Sequence, residues 1–160
     1  MYQNMLKKIV SGGQSGVDRA ALDAAIAVCI DYGGWCPKGR RSEDGGIPER
    51  YLLQETPHAD YRQRTAWNVR DSDGTLILVR NRLKGGSRYT YECAIKTERP
   101  CMIVRFDNMP AIESVMQWII RHAIETLNIA GPRATSDVSI YTESYQFLKA
   151  LLLLQGLETS

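Results

Sequence analysis

Strands alternating with helices, two strand-to-glycine junctions that each run into a helix, and one strongly amphipathic helix predict an α/β fold. The expected architecture is a Rossmann-like, doubly wound, mostly parallel sheet with helices on both faces. The 160 residues are enough for one ordinary domain with a sizeable core, so residues 1–160 are expected to form a single ligand-binding domain.

Leu6 to Ser11 is a short apolar strand that ends in Gly12-Gly13-Gln14-Ser15-Gly16, and Val17 to Ile30 follows at helical spacing. Ser15 with Asp18 three residues later fits a capping box, which starts the helix near Gly16. Val17, Ala21, Ala24, Ala25 and Val28 form a small-residue stripe that lets this helix approach a sheet closely. Gly33 to Gly46, with its glycines, Pro37 and charges, reads as a short second strand running into a long exposed loop.

Tyr61 to Arg70 suits a short helix, stopped by Gly74 ahead of the strand Thr75 to Val79. Lys84-Gly85-Gly86-Ser87 then leads into a helix over Tyr89 to Thr97, and Pro100 precedes the strand Cys101 to Phe106. Pro110 opens the clearest amphipathic helix, with Ile112, Val115, Met116, Ile119, Ile120, Ala123 and Leu127 on one face. Asn128 to Ala130 is a last short strand before Gly131-Pro132. Glu143 to Leu154 is a terminal helix whose leucines pack on the core or on another subunit.

Composition narrows the function classes. A chain that is 44% hydrophobic and 24% charged folds as a globule, which excludes disordered and fibrous readings. Twenty basic against eighteen acidic residues leave +2, too little for nonspecific attraction to nucleic acid or a membrane, so an anionic ligand must be held locally. No apolar run reaches the roughly 18 residues of a membrane span, and Met1 to Asn4 opens no secretory leader; a cytoplasmic protein is expected. Four cysteines without a CxxC pair and only two histidines argue against a metal site and a disulfide framework. Cys29 and Cys101 are expected to be core residues, leaving Cys36, beside Pro37, as the cysteine to follow.

The first glycine turn offers backbone N–H groups and a helix N-terminus, a favourable place for an oxyanion. It is not the dinucleotide fingerprint, because Ser11 stands where the first glycine of GxGxxG would be. The second turn, Gly85-Gly86-Ser87 with Thr90 one helical turn later, repeats the same physics, and two such cradles at one sheet edge would grip one phosphorylated ligand. Lys38-Gly39-Arg40-Arg41 is a basic loop that either closes over negative charge or is simply solvated. Asn68, Asp71, Ser72 and Asp73 precede a strand and either brace a neighbouring loop or bind ligand hydroxyls. Glu92 is a carboxylate available for acid–base work, and Trp35 and Tyr89 either stack on a heterocycle or pack in the core.

The blocks Gly12 to Asp23, Gly34 to Arg40, Glu43-Asp44-Gly45, Ile47-Pro48, Glu55-Thr56, Arg64-Thr65, Asn68-Val69, Asp71 to Thr75, Gly85-Gly86-Ser87 and Ala130 to Arg133, in that order, resemble the molybdenum cofactor carrier proteins over nearly the whole chain. That family is similar to the Rossmann-like phosphoribohydrolases once called lysine decarboxylase-like. The resemblance implies a cytosolic homo-oligomer, a dimer or tetramer, that binds molybdenum cofactor, shields it, and passes it to molybdoenzymes or cofactor-biosynthesis proteins without turnover. On this reading the phosphate is held at Gly12, Gly13, Gln14, Ser15 and Gly16 or at Gly85, Gly86, Ser87 and Thr90. Lys38, Gly39 and Arg40 supply the charged loop, Asn68, Ser72 and Asp73 meet the pterin, and no metal-ligating residue is assigned. The relatives' PGGxGTxxE motif reads here Lys84 to Glu92, with Arg88-Tyr89 near its third glycine; an N-glycosidic nucleotide hydrolase using Glu92 is therefore the alternative, and a sensor of nucleotide derivatives a third reading.

Overall fold

A computed structural model describes residues 6–158. Its elements run β1 (Lys8–Val10), α1 (Val17–Ala27), β2 (Asp31–Gly33), β3 (Trp35–Cys36), β4 (Gln54–Glu55), α2 (Tyr61–Arg70), β5 (Gly74–Val79), α3 (Gly85–Lys96), β6 (Cys101–Arg105), α4 (Ile112–Arg121), β7 (Thr126–Ala130) and α5 (Ile140–Glu158). Five strands form a sheet in the order β2-β1-β7-β5-β6, every pairing parallel, and β3 pairs with β4 in a separate two-stranded ribbon.

Counted from β7, the main sheet reads 3-2-1-4-5, the doubly wound order with the last strand at its centre. The expected Rossmann-like α/β fold is therefore present, entered at a different point of its cycle. All six residues of β5 are buried, as a strand covered on both faces requires. On one side α5 packs against α1 and α4; α2 and α3 pack against each other. The main core joins Ile9, Leu76, Leu78, Leu127 and Ile129 of the sheet to Val17, Ala21, Val115, Ile119, Leu148 and Leu151 of the helices. Full burial of each large aliphatic side chain contributes about 1.5–3 kcal/mol against the entropy of ordering the chain. Leu22, Cys36, Ile47 and Tyr51 form a second, smaller cluster.

Three local expectations are corrected. The amphipathic helix ends at Arg121 rather than continuing to Leu127: Ala123 takes a left-handed turn (φ 52°), and Leu127 enters the central strand. The same apolar residues satisfy a helical stripe in sequence, but pairing with both β1 and β5 outweighs it. The capping box does not form: Gly16 is the N-cap of α1 without a side-chain bond, Ser15 turns to other partners, and Asp18 accepts from the Gln14 backbone N–H at 3.2 Å. Among the cysteines, Cys36 is the fully buried one, whereas Cys29 is exposed, in a left-handed conformation after α1, and Cys101 is half-buried at the sheet edge.

Candidate functional site

β1, β7 and β5 are neighbours in the sheet, and the loops leaving their carboxyl ends surround a cleft of about 820 Å³. The loop after β5 (80–84) and the start of α3 form one wall, the loop after β7 (131–137) another, and Tyr61, Arg64 and Thr65 of α2 a third. Gln14 and Asp18 contribute from the first glycine turn. Both glycine junctions thus reach one crevice at the carboxyl edge, where doubly wound sheets receive ligands. Their states, however, differ.

The first turn is closed by the protein itself. Ser11 through Asp18 are all buried. The Gln14 N–H is taken by Asp18, the Ser15 N–H and hydroxyl by Glu43, and the Val17 N–H by the Pro132 carbonyl at 3.2 Å. Burial opposes charge on Glu43, but the hydrogen bonds from Ser15 and Ser42 outweigh it and hold the carboxyl below its ordinary value. The glycines serve close packing rather than anion binding. A Cβ on Gly12 would run into the Arg64 guanidinium, and one on Gly16 into backbone atoms of Pro132, Arg133 and Ala134.

The second turn is open. Gly85 and Gly86 are exposed, a Cβ on either would meet nothing within 4 Å among the described residues, and the N-cap Lys84 supplies no capping side chain. The first N–H groups of α3 have no helical acceptor, and they stand at the positive end of a 12-residue helix. Thr90 Oγ1 donates to the Gly86 carbonyl at 2.9 Å and secures the turn from within the helix.

Charge converges on the same place. Arg62, Arg64, Arg80, Arg82, Lys84 and Arg133 line the cleft against only Asp18 and Asp137. Asp18 is buried, and desolvation raises its pKa although Arg64 Nη1, 3.3 Å away, favours the charged form. Arg80 is tied to Asp137 at 2.9 Å and to Glu143, which locks the loop after β5 to the loop after β7. Arg133 lies over the Tyr61 ring, 4.6 Å from its centroid.

Of the residues expected from sequence, Gln14, Gly85, Gly86, Ser87 and Thr90 meet in the cleft, as does Tyr89. Gly12, Gly13, Ser15 and Gly16 lie in the buried turn behind it. Arg40 donates to the carbonyls of Pro48 and Tyr51, both at 2.8 Å, Gly39 N–H to Glu55 at 2.7 Å, and Lys38 is exposed outside the lining. Asn68 brackets the Trp35 backbone, accepting its N–H at 2.7 Å and donating to its carbonyl at 3.0 Å. Ser72 donates to the Asn68 carbonyl, and Asp73 accepts the Glu125 and Thr126 N–H groups at the amino end of β7. These three residues brace loops at a distance from the cleft lining. Trp35 packs edge-on against Trp67, Glu92 is exposed outside the lining, and Cys36 is enclosed in the smaller cluster.

Tyr61, Arg64, Arg82, Lys84 and Arg133 were not singled out as ligand residues from sequence. Arg64 and Arg133 do fall inside the blocks that carry the family resemblance, which was the available signal. Among the described residues, no group of three or more His, Cys, Asp or Glu is placed to hold a metal ion, and no helix is long and apolar enough to cross a membrane.

The model of the circularly permutated YpsA SLOG family matches residues 9–152. A solved structure from Syntrophus aciditrophicus SB, described as a "putative molybdenum carrier protein", is 47% identical, covers 94% of this chain and 98% of its own, and superposes with a TM-score of 0.90. No curated protein matches the chain. The displaced strand count seen in the sheet agrees with a permuted relative of the doubly wound fold.

Proposed function

The chain belongs to the circularly permutated YpsA SLOG family, and from that premise we propose that it is a carrier that binds, protects and delivers molybdenum cofactor. The observation that carries the proposal is the open, uncapped N-terminus of α3 facing a cleft with six cationic side chains and two carboxylates. Such a site favours a terminal phosphate through unpaired N–H groups, helix dipole and local charge together. Gly85, Gly86 and Ser87 would hold the phosphate, with Lys84 adjacent, and Tyr61, Tyr89 and Gln14 would face the body of the cofactor.

The residues present are compatible with a cargo of this kind. The cargo brings its own dithiolene and metal, so a carrier needs no protein ligand set for it, and Cys36 is sealed away from the cleft. On this proposal the protein works in the cytoplasm as a homo-oligomer, residues 1–160 act as one ligand-binding domain, and the transfer partners are molybdoenzymes or cofactor-biosynthesis proteins. The test is retention: the purified protein is loaded with molybdenum cofactor, desalted, and assayed by its capacity to reconstitute a cofactor-free molybdoenzyme. Retention well above that of an unrelated protein of similar charge is expected; retention equal to that control would remove the carrier reading.

A further inference from the structure

The two outer strands of the main sheet are protected differently. β2 pairs only with β1, and β6 only with β5. β2 is three residues long, opens on a charge, Asp31, and turns away at Gly34 (φ 130°); short length and edge charge are devices by which a sheet edge escapes further pairing. β6 is five residues long, and its single charge, Arg105, stands last, with Nε bonded to the Asn81 carbonyl at 2.8 Å. Cys101, Met102 and Ile103 are half-buried, although their partners Thr75, Leu76 and Ile77 in β5 are fully buried. Ile95, in the helix that leads to this strand, and Met109, in the loop that leaves it, are 56% and 44% exposed.

The ladder with β5 fixes which backbone groups of β6 are already used. Thr75 N–H donates to the Pro100 carbonyl and Phe106 N–H to the Val79 carbonyl, both at 2.9 Å. Residues of a parallel strand bond alternately to a given neighbour, so Met102 and Val104 face β5 while the backbone groups of Cys101 and Ile103 and the N–H of Arg105 point outward. Among the described residues no strand meets them. A second copy supplies the complement. Two β6 strands related by a two-fold axis through Ile103 run antiparallel, and outward groups then meet outward groups, Ile103 against its own copy and Cys101 against Arg105. The same register sets Arg99 opposite Asp107, twice by symmetry, whereas a register centred on Met102 would set Arg99 opposite Arg105.

We propose that the outer edge of β6 is a docking surface for a second copy of this chain, the two sheets joining into one through antiparallel β6–β6 pairing centred on Ile103. Reversal of direction across the axis puts the carboxyl ends of the two halves, and with them the two clefts, at opposite ends of the joined sheet. Each cleft is lined by residues of its own chain, so the pairing stands apart from the ligand reading above.

Sedimentation of the full chain from low to high micromolar concentration, together with backbone hydrogen exchange followed by NMR, tests the pairing. A concentration-dependent dimer of twice the 18.0 kDa chain mass is expected. In the dimer the Ile103 amide should be as protected as those of Met102 and Val104, and it should lose that protection on dilution. Ile103→Pro removes an outward N–H and leaves the β5 ladder whole, so it should keep the native far-UV spectrum and raise the dimer dissociation constant about a hundredfold or more. Asp107→Arg, on an exposed side chain, should weaken the dimer about tenfold, and keeps the test decisive should the proline variant fail to fold. A monomer at every concentration would leave the edge to an extended segment of another protein and overturns the proposal. So does a dimer that both substitutions leave intact, or an Ile103 amide whose exchange is independent of concentration.

Discussion

Arg64 lies across Gly12 and reaches Asp18, Nη1 to Oδ2 at 3.3 Å, so the missing side chain of one residue makes room for the charge that balances another. The pair is nearly enclosed, with side-chain exposures of 13% and 4%. A glycine turn that in sequence reads as an anion cradle is, in the folded protein, the seat of an internal ion pair.

The glycines of the two turns therefore respond differently to alanine. Gly16→Ala meets main-chain atoms and a positive φ of 84°, with no soft neighbour to move, and is expected to cost about 2–4 kcal/mol. Gly12→Ala displaces a guanidinium that can swing away but strands Asp18, and should cost less, about 1–3 kcal/mol. Gly86→Ala meets open space on the first turn of α3 and should change stability by less than about 1 kcal/mol. Urea denaturation of the three variants gives the order directly; a Gly12→Ala protein as stable as wild type would refute the role assigned to Arg64.

Acid affects the two buried or bonded carboxylates in opposite directions. Asp44 is held at about 2 by hydrogen bonds from Arg19 and Ser42, so the stability it contributes is complete above its ordinary value of 3.8 and is lost as pH falls toward 2. Asp18 has the reverse sign: burial raises its folded pKa, so its ionisation is unfavourable in the folded state and the protein loses stability as pH rises through that value. In pH-dependent melting, Asp44→Asn should flatten the acid limb. Asp18→Asn should gain relative to wild type as pH rises through the Asp18 titration. Parallel curves for wild type and Asp18→Asn would contradict the assignment.

Stability and binding should part company at the open helix end. Gly86→Asp places a carboxylate among the unpaired amides of α3 and is expected to raise stability slightly, by about 0.3–1 kcal/mol, because the charge complements the dipole. The same carboxylate occupies the proposed phosphate position, so retention of molybdenum cofactor should fall at least tenfold. Melting and the retention assay on one preparation check both signs; unchanged retention would dissociate the cradle from the ligand.

Asn68 offers the converse case. Its two bonds to the Trp35 backbone join α2 to β3, and Asn68→Ala should cost about 2 kcal/mol in denaturation while leaving retention of molybdenum cofactor within twofold of wild type. A selective loss of affinity without loss of stability would return this residue to the ligand.

The alternation of strand and helix was legible because each element carries its own period: the two glycine junctions, α2 at Tyr61–Arg70, and the apolar run that became β5 are all local statements. So was the closed-up character of α1, whose small residues appear in the sequence as a stripe. What the periods did not settle was where α4 stops, since Leu127 fits a helix face and a strand equally until β1 and β5 are set on either side of it. The site was legible only in half for the same kind of reason. Gly12–Gly16 and Gly85–Ser87 look alike as sequence, and their partners separate them: Glu43 and Pro132 come from other segments, and Asp18 from the first turn of α1, to fill the first, while among the described residues nothing fills the second. Arg133 and Tyr61, 72 positions apart in the numbering, meet because the loop after β7 and the first turn of α2 converge on one cleft. Local chemistry determined the elements and the two candidate turns; tertiary packing decided which turn remained open, because a backbone amide binds whichever acceptor the fold brings to it first.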